Sequence, residues 1–343
     1  PANRRAKTLI NSCVSMSESL RKPRIAITMG DPNGVGPEVL LKILKDGQAQ
    51  QLCSIEVVGQ PSVLDYYRDQ LNLAVKNVQI TPIEVSDFHP HPGRIGREAG
   101  DIAMKSVALA VDMCLDGRAD AMVTCPISKE AISLAGHHFP GHTEYIADRT
   151  KSEHYQMMMV SDHLRVGLVS GHVPLNRVGE EVTREAIREA LDIMVASLHR
   201  DFGLQSPHIA VLGLNPHAGD GGVLGREEAD VLLPEILQFR KKGIRVEGPF
   251  PADGFFGSGN WKSVDAILAM YHDQGLIPFK TLSFGQGVNF TAGLSIVRTS
   301  PDHGTAFDIA GAGRANPDSL MAAIQAAVSI HQTRTRSTVH EVS

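Results

Sequence analysis

Three apolar runs each end in a histidine, and that repetition is where chemistry is to be sought. Ala266-Ile-Leu-Ala-Met-Tyr-His272-Asp273 delivers an imidazole and a carboxylate together. Arg165-Val-Gly-Leu-Val-Ser-Gly-His172 ends in Gly-His, and His208-Ile-Ala-Val-Leu-Gly-Leu-Asn-Pro-His217 in Asn-Pro-His. Short continuous apolar runs of this kind read as buried strands. In an open α/β sheet, ligands bind beyond the carboxyl ends of strands. A lone histidine at such a place is more often a satisfied structural group. Three of them suit a divalent ion such as Zn²⁺, with a coordination position left for substrate or water. No local spacing joins the three, so their convergence rests on a shared position in a sheet.

Other reactive groups lie nearby in sequence. After His272-Asp273, Gly275 and Pro278 are expected to break the chain into a loop carrying Lys280. Arg298 ends the apolar run Leu294-Ser-Ile-Val-Arg298, which reads as a strand. An arginine grips phosphate as a fork and a lysine as a point charge; solvated surface cations are the alternative for both. His142 and Thr143 open a short helix after Pro140-Gly141, where donors suit a phosphate or carboxylate, although Thr143 would equally serve as a helix cap. Asp253, in the Gly-rich stretch 251–259, is a possible site carboxylate. Gly30-Asp-Pro-Asn-Gly-Val-Gly-Pro-Glu38 leads into a helix and would hold an anion or form a tight structural turn. Its spacing is not the Gly-x-Gly-x-x-Gly dinucleotide fingerprint. His89 and His91 alternate along an exposed loop at 87–96 and are not expected to be ligands.

The elements that must position these groups alternate. Strands are expected at 24–29, 55–58, 121–125, 155–160 and 164–169, besides the His-terminated runs. Helices are expected through 39–44, from 61, and at 99–115, 183–199, 227–241 and 318–331. Such alternation argues an α/β fold with sheets covered on both faces, and the 155–169 pair adds an antiparallel hairpin. The chain's 343 residues suffice for two domains, and 42% hydrophobic content supports real cores. A net charge of −5 leaves no electrostatic footprint for nucleic acid. No apolar run is long enough to span a bilayer. Cys13, Cys53, Cys114 and Cys125 lack Cys-x-x-Cys spacing and read as reduced thiols of a cytoplasmic protein. Residues 1–22 lack a core pattern and are expected to be a disordered tail; a secretory presequence would need an apolar segment that is missing.

Several long motifs, in order, then carry a resemblance. Gly30 to Glu38, Gly141-His-Thr-Glu144, Gly213-Leu-Asn-Pro-His-Ala-Gly219, Ala269-Met-Tyr-His-Asp-Gln-Gly275 and Arg298-Thr-Ser-Pro-Asp-His-Gly304 together resemble the 4-hydroxythreonine-4-phosphate dehydrogenases of vitamin B6 biosynthesis. The resemblance covers about 23–331. The segment His303 to Pro317 is similar to the adenosine-binding loop of isocitrate and isopropylmalate dehydrogenases, whose fold that family shares.

The resemblance implies two α/β/α domains with mixed sheets and a cleft between them, over 23–140 plus 285–343 and over 141–284. It implies a homodimer with the active site at the subunit interface. Metal ligands would be His172, His217 and His272, with one divalent ion (Zn, Mg, Co or Mn) per site. Because His272 lies on a different strand from His172 and His217, it is the ligand expected from the partner. Substrate contacts would be His142, Thr143, Lys280, Asn289 and Arg298. Asp253, Asp273 and Lys280 would be the catalytic groups. NAD or NADP would lie against His303, Gly304, Thr305, Ala306, Asp308 and Asn316. The implied reaction oxidises the C3 alcohol of 4-phosphooxy-L-threonine, a small phosphorylated hydroxy-amino acid. The resulting 3-oxo acid loses CO₂ to give 3-amino-2-oxopropyl phosphate. Rival readings are a dehydrogenase of threonate or erythronate 4-phosphate, a metal-dependent hydrolase, and a binding protein without turnover.

Overall fold

The buried apolar runs assemble into one eleven-stranded mixed sheet in the computed structural model, which describes residues 21–75, 78–86 and 88–341. The strands are β1 (Arg24–Thr28), β2 (Ser54–Gly59), β3 (Ile80–Pro82), β4 (Ala121–Thr124), β5 (Gln156–Val160), β6 (Arg165–Ser170), β7 (His208–Leu212), β8 (Arg245–Phe250), β9 (Ala266–Tyr271), β10 (Val288–Ala292) and β11 (Arg298–Pro301). In space they run β3-β2-β1-β4-β11-β10-β5-β6-β9-β7-β8. From β3 to β11 neighbours are parallel. From β6 to β8 they are parallel again. Between the two blocks, β10 is antiparallel to β11 and β5, and β5 to β6. The α/β class and the antiparallel 155–169 pair are as the sequence reads.

The principal helices are α1 (Gly36–Asp46), α2 (Pro61–Gln70), α3 (Arg97–Leu115), α4 (Lys129–Leu134), α5 (His142–Arg149), α6 (Arg184–Arg200), α7 (Leu233–Lys241), α8 (Ala252–Gly257), α9 (His272–Leu282) and α10 (Asp318–Glu341). Their starts follow local chemistry. Ser128 accepts a hydrogen bond from the Ala131 N–H (3.1 Å) and Thr183 from Ala186 (3.2 Å), each satisfying a free helix-end donor. In α6, Ile187, Leu191, Met194 and Leu198 form the buried stripe that docks it on the sheet. Of the expected tail, only Arg21 and Lys22 are described; Arg21 pairs with Asp120 at 2.8 Å.

Two sequence readings are corrected. Residues 272–282 are helix α9 and not a loop, despite Pro278 inside. Gly275 is there for packing: a Cβ would come within 2.9 Å of Leu168 and Val166 and 3.0 Å of Ala269. Its absence lets α9 lie flat on β6 and β9, and that burial outweighs the hydrogen bond Pro278 removes. The strand expected at 294–298 instead begins at Arg298, because Gly293, at φ 91°, turns the chain after β10. Leu294 and Ile296 are buried instead in the same apolar cluster as Ile102 and Val111 of α3. Strands β3, β8 and β10 and helix α8 are additions the sequence pattern did not reveal.

Helices α3 and α4 meet backbone to backbone at Gly100, where an added Cβ would overlap the Ala131 carbonyl. Gly100→Ala improves helix propensity by about 1 kcal/mol, but the clash forces a backbone shift. Urea unfolding is therefore expected to show a net loss of about 1–3 kcal/mol.

Candidate functional site

Period two decides what faces the site. Asn289 and Thr291 of β10 point to one face of the sheet, as do Arg298 and Ser300 of β11; Asn289 pairs with Ser300, and Thr291 with Met157 of β5. Over this face lies a cavity of about 210 Å³, lined by Asn289, Arg298 and Ser300 and also by Thr124, Lys129, His142, Thr143, Glu144, His172, His303 and Gly304. Five expected substrate or metal residues (His142, Thr143, His172, Asn289, Arg298) and two expected cofactor residues (His303, Gly304) thus share one wall.

Arg298 is not a solvated surface cation, for only 2% of it is exposed. Its Nε and Nη2 donate to Thr124 Oγ1 (3.1 and 2.7 Å) and its Nη1 to Thr291 Oγ1 (3.1 Å). Among the described residues no carboxylate pairs with it. Burial pushes its pKa down to about 10, against the pull of Glu144, so it stays charged at neutral pH. A buried cation held only by hydroxyls is a demand for an anion. Beside it, burial pushes the His142 imidazole well below its ordinary range, helped by the Arg298 charge and opposed by a Cys125 backbone hydrogen bond. The Nε2 atoms of His142 and His303 and the Oδ1 of Asn289 are buried without partners, as ligand-seeking groups are. Thr143 does not cap α5; Gly141 holds that position with no side-chain bond.

The histidine-bearing strands are neighbours in the order β6-β9-β7, all parallel, so their carboxyl ends converge. Register places Ser170 against Tyr271, and the His172 and His272 rings lie 5.8 Å apart. Burial first, then the charges of Lys129 and His272, lower the His172 pKa, favouring the neutral ring that a metal needs. Asp273 Oδ1 stands 2.8 Å from His272 Nδ1, an arrangement that fixes a ring for coordination through Nε2. Within this chain the strand of His272 adjoins that of His172. His217 is the imidazole set apart. It sits in a left-handed loop (φ 54°) anchored by Asn215, whose N–H and Nδ2 bond Glu228 and Glu227 at 2.7 Å. There it lines a second hollow of about 490 Å³ with Asp253, Asp273 and Gln274. Among the described residues, no three His, Cys, Asp or Glu side chains are close enough to hold a metal ion together.

Lys280 lies outside both hollows, paired with Asp302 Oδ1 at 2.9 Å. The Gly30–Glu38 motif turns out to support the 303–316 loop. Val35 N–H donates to Thr305 O (2.9 Å), and the buried Glu38 carboxylate accepts from Gly313 (3.2 Å) and Ala315 (2.8 Å). Ala306 is left-handed (φ 42°), Asp308 is exposed, and the Asn316 side chain caps α10 by accepting from Asp318 N–H (3.0 Å). Thr124, Thr291, Lys129 and Glu144 were missed as site residues. Thr124 carried a signal, being a hydroxyl on an otherwise apolar strand.

Residues 43–327 match the family described as pyridoxal phosphate biosynthetic protein PdxA. The chain is 43% identical to the 4-hydroxythreonine-4-phosphate dehydrogenase of Bacteroides thetaiotaomicron, over 94% of this chain and 92% of that one. It is 44% identical to the enzyme of the same name from Desulfosudis oleivorans, over 90% and 96%. A crystal structure of 4-hydroxythreonine-4-phosphate dehydrogenase from Klebsiella pneumoniae superposes with a TM-score of 0.81 at 36% identity, over 90% of this chain and all of that one.

Arg298→Lys removes the fork while keeping the charge. Calorimetry is expected to show phosphorylated ligands binding about 2 kcal/mol more weakly, with unphosphorylated analogues little changed. His142 has a sign that can be checked. Its folded pKa lies below the ordinary 6.5, so its contribution to stability is complete above that pH and is lost as pH falls through it. Urea unfolding as pH falls below about 6.5 should lose up to ~1.4 kcal/mol per pH unit from this group, and His142→Asn should flatten that slope.

Proposed function

The chain belongs to the PdxA family, and from that premise we propose that it is a 4-hydroxythreonine-4-phosphate dehydrogenase acting in pyridoxal phosphate biosynthesis. The observation that carries the reading is the buried, carboxylate-free Arg298 beside the facing His172 and His272. A phosphorylated hydroxy acid has an anionic end for the first and an alcohol for the second.

The residue types suit the groups the reaction needs, although among the described residues of one chain no three of them converge on a metal ion. His172 and His272, with His217 from the adjoining hollow, are the imidazoles for a divalent ion, and Asp273 orients His272. The 303–316 loop, with His303 Nε2 buried and unpaired, is the dinucleotide side. When bound, NAD or NADP would supply a hydride acceptor for substrate C3, and a divalent ion (Zn, Mg, Co or Mn) a Lewis acid for the C3 alcohol. Arg298, His142, Thr143 and Asn289 hold the anionic ends and fix C3 in place. Lys280 joins them only by leaving Asp302. Asp253 and Asp273, which line the second hollow, would receive the alcohol proton. Oxidation leaves a carboxylate β to a ketone, and loss of CO₂ gives 3-amino-2-oxopropyl phosphate.

The two parallel strand blocks are read as the two domains, 23–140 plus 285–343 and 141–284. A homodimer is supported by Ile277 (62% exposed), Leu282 (47%) and Phe284 (92%), an apolar strip along α9 and its exit that a partner would cover. No described helix is long and apolar enough to cross a membrane; three described cysteines, free thiols, suit a cytoplasmic location.

The test is purified protein with NAD or NADP, with and without divalent metal, against phosphorylated and unphosphorylated hydroxy acids. Reduced nicotinamide should accumulate with 4-phosphooxy-L-threonine and metal, and not with the unphosphorylated compound. Phosphate release without nicotinamide reduction would sink the reading in favour of a hydrolase. His172→Ala and His272→Ala should each lower metal affinity, measured by titration, about a hundredfold or more, since even outer partners of ligands are worth ten- to a hundredfold.

A further inference from the structure

We infer that Glu144 is the group that recognises the substrate's ammonium and so separates amino-acid 4-phosphates from their 2-hydroxy analogues. The inference rests on the dehydrogenase reading and deepens it. Glu144 is the one carboxylate among the described residues lining the Arg298 cavity, whose other charges are Lys129 and Arg298. It is half-buried, in the first turn of α5. Among the described residues its carboxylate makes no ion pair and no hydrogen bond, although Lys129 Cε and Glu144 Oε2 both approach Gly141. Its field reaches both Arg298 and His172.

A free carboxylate in an anion cavity needs an explanation. Toward a ligand that is anionic throughout, it repels what Arg298 and Lys129 attract. Toward a ligand that also carries a cation, it supplies the missing partner. In 4-phosphooxy-L-threonine the ammonium at C2 lies next to the reacting C3, between the carboxylate and the phosphate. In threonate or erythronate 4-phosphate the same position bears a neutral hydroxyl. The cavity's charge pattern, two cations and one anion, is complementary to the zwitterionic phosphate and mismatched to the purely anionic one. Such repulsion is as much a source of specificity as attraction.

The experiment compares wild type, Glu144→Gln and Glu144→Asp on 4-phosphooxy-L-threonine and erythronate 4-phosphate, by kcat/KM with metal and dinucleotide and by calorimetric Kd. Glu144→Gln is near-isosteric, and Glu144→Asp keeps the charge should the amide variant fold poorly. For Glu144→Gln, the preference for the amino compound should fall roughly ten- to a hundredfold. That loss should come from weaker use of the amino compound, with the hydroxy compound unchanged or improved. Glu144→Asp should retain most of the preference. An equal fall for both substrates in both variants marks a structural role and overturns the inference, as does an equal gain. Wild type that oxidises and binds neither compound refutes the dehydrogenase reading itself, and the inference with it.

Discussion

A guanidinium sealed beneath a sheet and offered only hydroxyls is the constraint around which this molecule is arranged. Removing an arginine from water costs several kcal/mol even after relaxation. Two threonine oxygens, Thr124 Oγ1 and Thr291 Oγ1, recover part of that. The rest is held by the packed β4-β11-β10 strands, which keep Arg298 almost wholly buried at the wall of the cavity. The charge then shapes its neighbours. It helps keep His142 neutral, and so available as donor and acceptor rather than as a second cation. It also makes the unpaired polar atoms of Asn289 and His303 useful, since they add directed contacts to an anion already drawn in.

The antiparallel centre of the sheet is what allows such a residue. In a purely parallel sheet, faces are covered by crossover helices and side chains there are apolar. Here β10 and β5 run against their neighbours, and the face carrying Asn289, Arg298 and Ser300 opens to the cavity. On the other side of that centre, β6, β9 and β7 are parallel, and they bring histidine loops to one end. Anion recognition and imidazole clustering therefore come from opposite sides of one topological feature.

Much of this was legible in the sequence. The strand-end histidines rest on apolar runs whose boundaries the structure reproduces within a residue or two, and the adjacency of β6 and β9 brings His172 and His272 within 5.8 Å, while His217 stands in its own loop after β7. What the sequence hid was tertiary. Arg298 reads as the end of one strand and is the start of another, since the turn at Gly293 consumes the apolar run before it. Pro278 reads as a breaker, yet packing against β6 and β9 overrides it. The Gly30–Glu38 loop resembles an anion cradle, but Glu38 spends its charge on Lys42 and on two backbone N–H groups of the 303–316 loop. No local pattern could show that, because the partners are some 275 residues away.

The first residues of α9 tie the two hollows into one device. His272 lies 5.8 Å from His172, which lines the Arg298 cavity, while Asp273, hydrogen-bonded to it, lines the second hollow with Asp253 and His217. A shift of α9 would move both groups together. Three contacts resist such a shift. Gly275 lets the helix sit against Val166, Leu168 and Ala269 without room for a Cβ. Gln274 accepts from Met270 N–H (2.7 Å) and donates to Gly213 O (2.6 Å), linking β9, α9 and the loop that carries His217. Lys280, at the far end, is held to Asp302 beside the 303–316 loop. The separation between anion site and imidazoles is thus set by backbone packing rather than by flexible side chains. That is the kind of rigidity needed to hold one carbon of a short substrate in a fixed place while its charged end is anchored elsewhere.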